Sequence, residues 1–306
     1  MSDRPRVVLL SHQACTGGTL WMRTLGAMDG VRTLSEISAD AEPEPGRFAP
    51  LAPIEQYALA EGVDWLPDLV TDQVLRVATH CHDNGSVLLL RLHSHSSFVR
   101  KGAPGRDTLL GRLRARDDIE AHAVWTIRHP VASYASLVKN RWHGGHTLES
   151  YSRAYRAFVA EQVEIEAKGP FRYESLTESP DETLRAVCDA VQLPYSQQYR
   201  DRYHGVVGTG NSGRGARMRS IRPLPFAELE LEAQVGPEFE ALCRELGYSP
   251  SVRDYAREAA EATLRVTPGD PNARGILRRL DGRRGVPPWN EWAGAALRTL
   301  VRKRRN

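Results

Sequence analysis

Two short stretches carry residue types that can hold phosphate-like anions. The first, "SHQACTGGTLW" at 11–21, sets Thr16, Gly17, Gly18 and Thr19 between an apolar run (Val7, Val8, Leu9, Leu10) and a helix-like pattern. Glycines let backbone N–H groups approach an anion closely. A helix starting near Thr19 adds the positive end of its dipole, and threonine hydroxyls supply further donors. The second, "TIRHPVASYASLVKN" at 126–140, ends another apolar run on Arg128, starts a helix at Pro130 and places Ser136 on that helix. A guanidinium fork plus a hydroxyl is a receptor for a second phosphate. The loop lacks the G-x-x-x-x-G-K-[ST] pattern, and so lacks the lysine that grips a nucleoside triphosphate. Each stretch also has a plainer reading, a tight turn for the glycines and a surface ion pair for the arginine.

The elements that must position these residues alternate along the chain. Short runs rich in Val, Ile, Leu or aromatics predict strands at 6–11, 31–37, 87–93, 123–128 and 171–174. Between them, apolar periodicity and capping residues predict helices at 19–28, 108–116, 131–141, 148–167 and 180–192, the last opened by Ser179-Pro180. Such alternation gives an α/β fold of three layers, a central parallel sheet flanked by helices. Ligands of such sheets bind at the carboxyl ends of the strands, where both candidate stretches fall. Tyr151, Tyr155 and Phe158 have helical spacing and are expected in the core. Residues 41–54 read as a proline-rich surface loop.

Composition narrows the class. The chain has 306 residues, 41% hydrophobic and 26% charged, with a formal charge of +3. That charge is too small to imply a nucleic-acid partner. No apolar run is long enough for stable membrane insertion, and no secretory h-region opens the chain, so a cytoplasmic location is expected. Cys15, Cys81, Cys188 and Cys243 are scattered without paired spacing, which favours reduced thiols. His80, Cys81 and His82 lie together but lack a second ligand pair, so no metal site is expected. Basic residues gather after 270, read as a solvated helical tail.

Taken in order, five stretches resemble one family. "ACTGGTL" resembles the 5′-phosphosulfate loop of sulfotransferases, and "IRHPVASYASL" resembles their R-[DH]-P-x-x-x-x-x-S element for the 3′-phosphate. "FRYESLTESPDETLRAVCDAVQLP" is similar to their R-Y-E-D-L segment with its proline-capped helix, "TGNSGRGARMRSI" to a late loop over the nucleotide, and "LCRELGYSP" to the domain's end. The resemblance covers about residues 5–250. It implies the P-loop-like sulfotransferase fold over 1–250, with 251–306 as a basic helical C-terminal extension. It also implies 3′-phosphoadenosine 5′-phosphosulfate (PAPS) as donor, 3′-phosphoadenosine 5′-phosphate (PAP) as product and no required metal. The donor-binding residues it implies are Cys15, Thr16, Gly17, Gly18, Thr19, Leu20, Arg128, Ser136, Tyr173, Ser212, Gly213 and Arg214.

Two details differ or stay open. The family usually has Lys or Arg where this chain has Cys15, and Arg23 and His12 are the nearest stand-ins. The base that takes the acceptor proton is Glu36, at the end of the second strand, or His93 in a K-T-H-like element; Glu36 is slightly favoured, with His93 and His95 lining the acceptor site. The acceptor is a hydroxyl or amine of a small molecule or glycoside, held by loops within 41–80, 96–107 and 141–150, and a homodimer stays open. The competing classes are a P-loop-like kinase, disfavoured by the missing Gly-Lys-Ser/Thr, and a non-catalytic nucleotide-binding interaction protein.

Overall fold

The computed structural model describes residues 3–37, 60–61, 66–92, 109–207 and 231–281, with the backbone alone at 36, 66, 67 and 266. Strands β1 (Arg6–His12), β2 (Val31–Ile37), β3 (Val87–Leu92), β4 (Glu120–Ile127) and β5 (Lys168–Arg172) form a parallel sheet in the order β2-β3-β1-β4-β5. Side chains of a strand alternate between faces, and β1 shows the consequence. Val8 and Leu10 join one buried cluster with Trp21, Met22, Leu25 and Val187, while Val7 and Leu9 join another with Val74, Ala78 and Leu113. A strand buried on both faces must be apolar throughout, which is why Val7 to Leu10 are all inaccessible to solvent.

The helices are α1 (Gly18–Gly26), α2 (Leu66–Asp83), α3 (Leu109–Arg114), α4 (Pro130–Lys139), α5 (Leu148–Glu164), α6 (Tyr173–Glu178), α7 (Pro180–Ala190), α8 (Tyr199–Arg202), α9 (Pro237–Leu246), α10 (Val252–Val266) and α11 (Pro271–Leu280). All five predicted strands and all five predicted helices are present. Two strands are shifted: β4 begins three residues earlier than expected, at Glu120, and β5 ends at Arg172 because Tyr173 already starts α6. Residues 66–80, expected among the acceptor loops, are instead α2. Val70, Val74, Ala78 and Cys81 recur at helical spacing and pack on the sheet.

The third cluster lies beside the sheet. It joins Trp125, Ile127, Leu137, Tyr151, Tyr155 and Phe158 to Leu242, Val252, Tyr255, Ala256, Ala260 and Ile276. Buried apolar packing therefore runs across residue 250 without a break, from α5 through α9 into α10 and α11. No helix among the described residues is long and apolar enough to cross a membrane.

Phe158 is fully buried, with its ring 6.1 Å from Trp125 in an edge-to-face arrangement. Phe158→Ala should therefore cost about 3–5 kcal/mol in denaturant unfolding, the range for deleting a buried ring. A loss below about 1 kcal/mol would contradict its place in the core.

Candidate active site

The chain leaves β1 and β4 in opposite directions, and the crevice at their carboxyl ends is where a ligand fits. After β1 the backbone turns through Cys15 (φ 62°) and Gly17 (φ 96°), both left-handed, around a buried Thr16 whose amide and hydroxyl bond the Gln13 carbonyl at 3.2 and 2.7 Å. Such reversals aim successive N–H groups into one concavity. Leu20 and Trp21 amides donate to the Gly17 carbonyl, whereas no acceptor among the described residues meets the N–H groups of Gly17, Gly18 and Thr19. Three unsatisfied amides at a helix N-terminus make an anion receptor. The glycines are required here, since a Cβ would lie 2.3 Å from the Tyr173 ring at Gly17 and 2.2 Å from the His12 ring at Gly18. Leu20 turns away to pack against the α1 side of the sheet.

Arg128 ends its strand in the same crevice. Its Nη1 donates to the Cys15 carbonyl oxygen at 3.2 Å, and its guanidinium lies 4.6 Å from the centre of the Tyr173 ring. No carboxylate among the described residues forms an ion pair with it, so the surface ion-pair reading of this arginine falls. The nearby Glu174 is engaged elsewhere, accepting from the His129 amide at 3.1 Å and the Tyr248 hydroxyl at 2.9 Å. Two buried tyrosines of α5 fix the loops from beneath. Tyr151 donates to the Ala14 carbonyl at 3.2 Å, and the Tyr155 hydroxyl accepts from the Arg128 amide at 3.1 Å and donates to its carbonyl at 3.3 Å. Ser136 lies half-buried on α4, and Asn140 at the end of that helix points Nδ2 at Cys15 Sγ, 3.8 Å away.

One functional candidate was missed in the sequence. Arg91, only 2% exposed near the end of β3, donates through Nε to Ser35 Oγ at 2.8 Å and through Nη1 to Thr19 Oγ1 at 3.2 Å. The signal was a lone arginine inside the apolar run "VLLLRL". Two arginines thus bracket the loop, Arg91 at Thr19 and Arg128 at Cys15. Of the stand-ins considered, His12 packs its ring on Gly18 with Nδ1 3.0 Å from the Gln13 carbonyl oxygen, and Arg23 is half-buried in α1. Glu36 lies in β2 beside Ser35, its side chain outside the described residues, as are His93, His95, Ser212, Gly213 and Arg214. Cys81 is buried, His80 is exposed on α2, and no metal-holding cluster occurs among the described residues.

Comparison with known proteins adds to this geometry. Residues 120–197 match the model of the sulfotransferase family. That segment carries Arg128, Ser136, Tyr173 and Glu174, and the match supports a sulfotransferase family assignment. A solved sulfotransferase domain from the curacin biosynthetic pathway is similar at 15% identity, with 81% of this chain and 99% of that one covered and a TM-score of 0.48. A search of curated proteins finds no match.

His129 gives the site a pH signature. Its Nδ1 caps α4 by accepting from the Val131 amide at 3.3 Å, which needs a neutral ring. Burial, helped by Arg128 and Arg172, lowers its pKa from 6.5 to about 3. The unfolded chain therefore binds a proton that the folded chain refuses, and stability from this group is complete above about pH 6.5 and lost as pH falls toward about 3. His129→Asn keeps a capping acceptor but does not titrate. Its unfolding free energy should fall less steeply between these limits, by up to about 1.4 kcal/mol per pH unit. Parallel slopes in chemical denaturation of the two proteins would contradict a neutral buried His129.

Proposed function

We propose that the chain transfers a sulfuryl group from PAPS to a hydroxyl or amine of a small-molecule or glycoside acceptor. The observation that carries this reading is the loop after β1, with three unsatisfied amides at a helix start and an arginine at each end. Residues 15–19 hold the 5′-phosphosulfate, with Leu20 anchoring the start of α1 beneath them, and Arg128 and Ser136 hold the 3′-phosphate. Tyr173 supports Arg128 through its ring face, and Ser212, Gly213 and Arg214 close over the nucleotide.

Bound there, the donor supplies the sulfuryl group, and the chain supplies charge, orientation and a base. As the group leaves, negative charge grows on the oxygen of the 5′-phosphate, and a fixed cation there favours the transition state over the ground state. Arg91 is placed for that task from the sheet side, reaching the loop at Thr19, and it takes the part a loop lysine would play. Glu36 takes the acceptor proton, with His93 as the alternative base and His95 beside it. A cytoplasmic enzyme that needs no metal fits this scheme.

Two measurements test the reading. In calorimetry with chelator present, PAP should bind the wild type, and Arg128→Ala should lose about 2–4 kcal/mol through a desolvated phosphate contact. Unchanged affinity in that variant, or a preference for magnesium ATP over PAP, would remove the donor assignment. In turnover assays, Arg91→Gln should lower kcat by roughly 10²–10³ with a smaller change in donor affinity. Glu36→Gln should lower kcat by roughly 10²–10⁴. Should Arg23→Ala reproduce the Arg91 loss while Arg91→Gln stays active, the cation is Arg23; should Glu36→Gln run at full rate, the base is His93.

A further inference from the structure

The loop that follows α4 carries charges that the donor reading leaves unused. α4 stops in a left-handed turn at Arg141 (φ 61°), where the Arg141 and Trp142 amides return to the carbonyls of Val138 and Leu137 at 2.9 and 3.0 Å. Further on, the Tyr134 hydroxyl donates to the His146 carbonyl at 2.8 Å, and Thr147 caps α5 by accepting from the Ser150 amide at 3.2 Å. Tyr134 is buried, so the loop is pinned at both ends to the body of the fold. Asn140 sets its place beside the crevice, with Nδ2 3.8 Å from Cys15 Sγ in the loop after β1. Lys139 and Arg141 flank that contact in the chain.

The solvent side of this loop is cationic and aromatic. Lys139, Arg141 and Trp142 are exposed, Trp142 by 49%. Neither cation has a carboxylate within ion-pair reach among the described residues, and the Trp142 ring meets no other ring there. From His129 to Leu148 the chain contains no acidic residue at all. The first one after that, Glu149, is engaged at the start of α9, where its carboxylate accepts from the Glu238 and Phe239 amides at 2.8 and 3.2 Å. Two cations beside an open indole face can receive an anion that is carried on a ring.

We infer that the acceptor is an acidic glycoside, a sugar that already bears a carboxylate or sulfate, with Lys139 and Arg141 receiving its charge and Trp142 its ring. The inference rests on the donor reading given above. An acidic acceptor meets an obstacle that a neutral one does not, because the donor beside it is itself polyanionic. In that reading Arg91 and Arg128 serve the donor, so the acceptor's charge needs cations of its own, and Lys139 and Arg141 are unengaged. Cations that were merely solvated would not distinguish an acidic sugar from its neutral counterpart.

A matched pair of probes makes that distinction. In calorimetry, the full chain loaded with PAP should bind p-nitrophenyl β-glucuronide roughly three- to tenfold more tightly than p-nitrophenyl β-glucoside, as two solvent-exposed ion pairs allow, and the preference should shrink in high salt. Lys139→Gln combined with Arg141→Gly should abolish the preference and leave glucoside and PAP affinities within about twofold, since glycine suits the left-handed backbone at 141 and keeps the turn. Trp142→Ala should weaken both glycosides alike. Equal affinities for the two probes in the wild type, no measurable binding of the glucuronide, a preference that survives the double variant, or a silent Trp142→Ala would each overturn the inference. Loss of PAP binding in the double variant would also overturn it, by assigning the two cations to the donor. If the wild type does not bind PAP, the donor reading fails instead, and the same titrations on unloaded protein decide the glycoside site alone.

Discussion

Two loops that leave different strands have to be held at one separation, and two tyrosine hydroxyls of a single helix do it. Tyr151 reaches Ala14 in the loop after β1, and Tyr155 reaches Arg128 at the end of β4. Both tyrosines are inaccessible to solvent, and burial pushes their hydroxyl pKa values above the ordinary value, so each remains a neutral donor and acceptor. A buried hydroxyl without a partner costs about 1–3 kcal/mol, as does a buried backbone group that loses one. Either loop that drifted would therefore leave two groups unsatisfied at once. The Arg128 bond to the Cys15 carbonyl, the Tyr173 contact and the helix start at Gly18 all presuppose that fixed separation.

Held in this way, Arg128 keeps its charge. Its side-chain partners among the described residues are a carbonyl and an aromatic face, neither of which neutralises it. The neighbouring carboxylate of Glu174 spends its lone pairs on an amide and a phenol. His129 stays neutral because burial and the adjoining arginines oppose its protonation, so no second cation is added at the helix start. No carboxylate among the described residues pairs with this guanidinium, a costly arrangement that under the proposed chemistry the donor's 3′-phosphate relieves.

Fold and site were unequally legible in the sequence. The buried apolar runs of β1 (Val7 to Leu10) and β3 (Val87 to Leu90) could be read directly, and helices opened by Pro130 and Pro180 announced their own starts. The glycine loop and Arg128 were legible for the same reason, since both fall where a strand stops. α2 was not, because its apolar residues are spread thinly among Asp68, Asp72, Arg76 and His80. Arg91 was hidden because one charge within a strand looks like a solvent-facing side chain. Only the parallel register, which sets Ser35 beside it, and the return of α1, which brings Thr19, give it a role. Tyr151 and Tyr155 were expected in the core and are there, but spacing says nothing of where a hydroxyl points.

Cys15 shows how the site's parts constrain one another. Its left-handed backbone and half-buried side chain place Sγ toward Asn140 while its carbonyl receives Arg128. A lysine in that position would bring a second cation to the residue that already anchors a guanidinium, and like charges at such distances repel strongly where water is scarce. Moving the second cation to β3 resolves the conflict. Arg91 enters from the opposite end of the loop, its charge separated from Arg128 by the turn itself and oriented by two hydroxyls. Under the proposed chemistry the loop keeps a cation at each end of the bound phosphosulfate, and the small thiol follows from the packing that this arrangement requires.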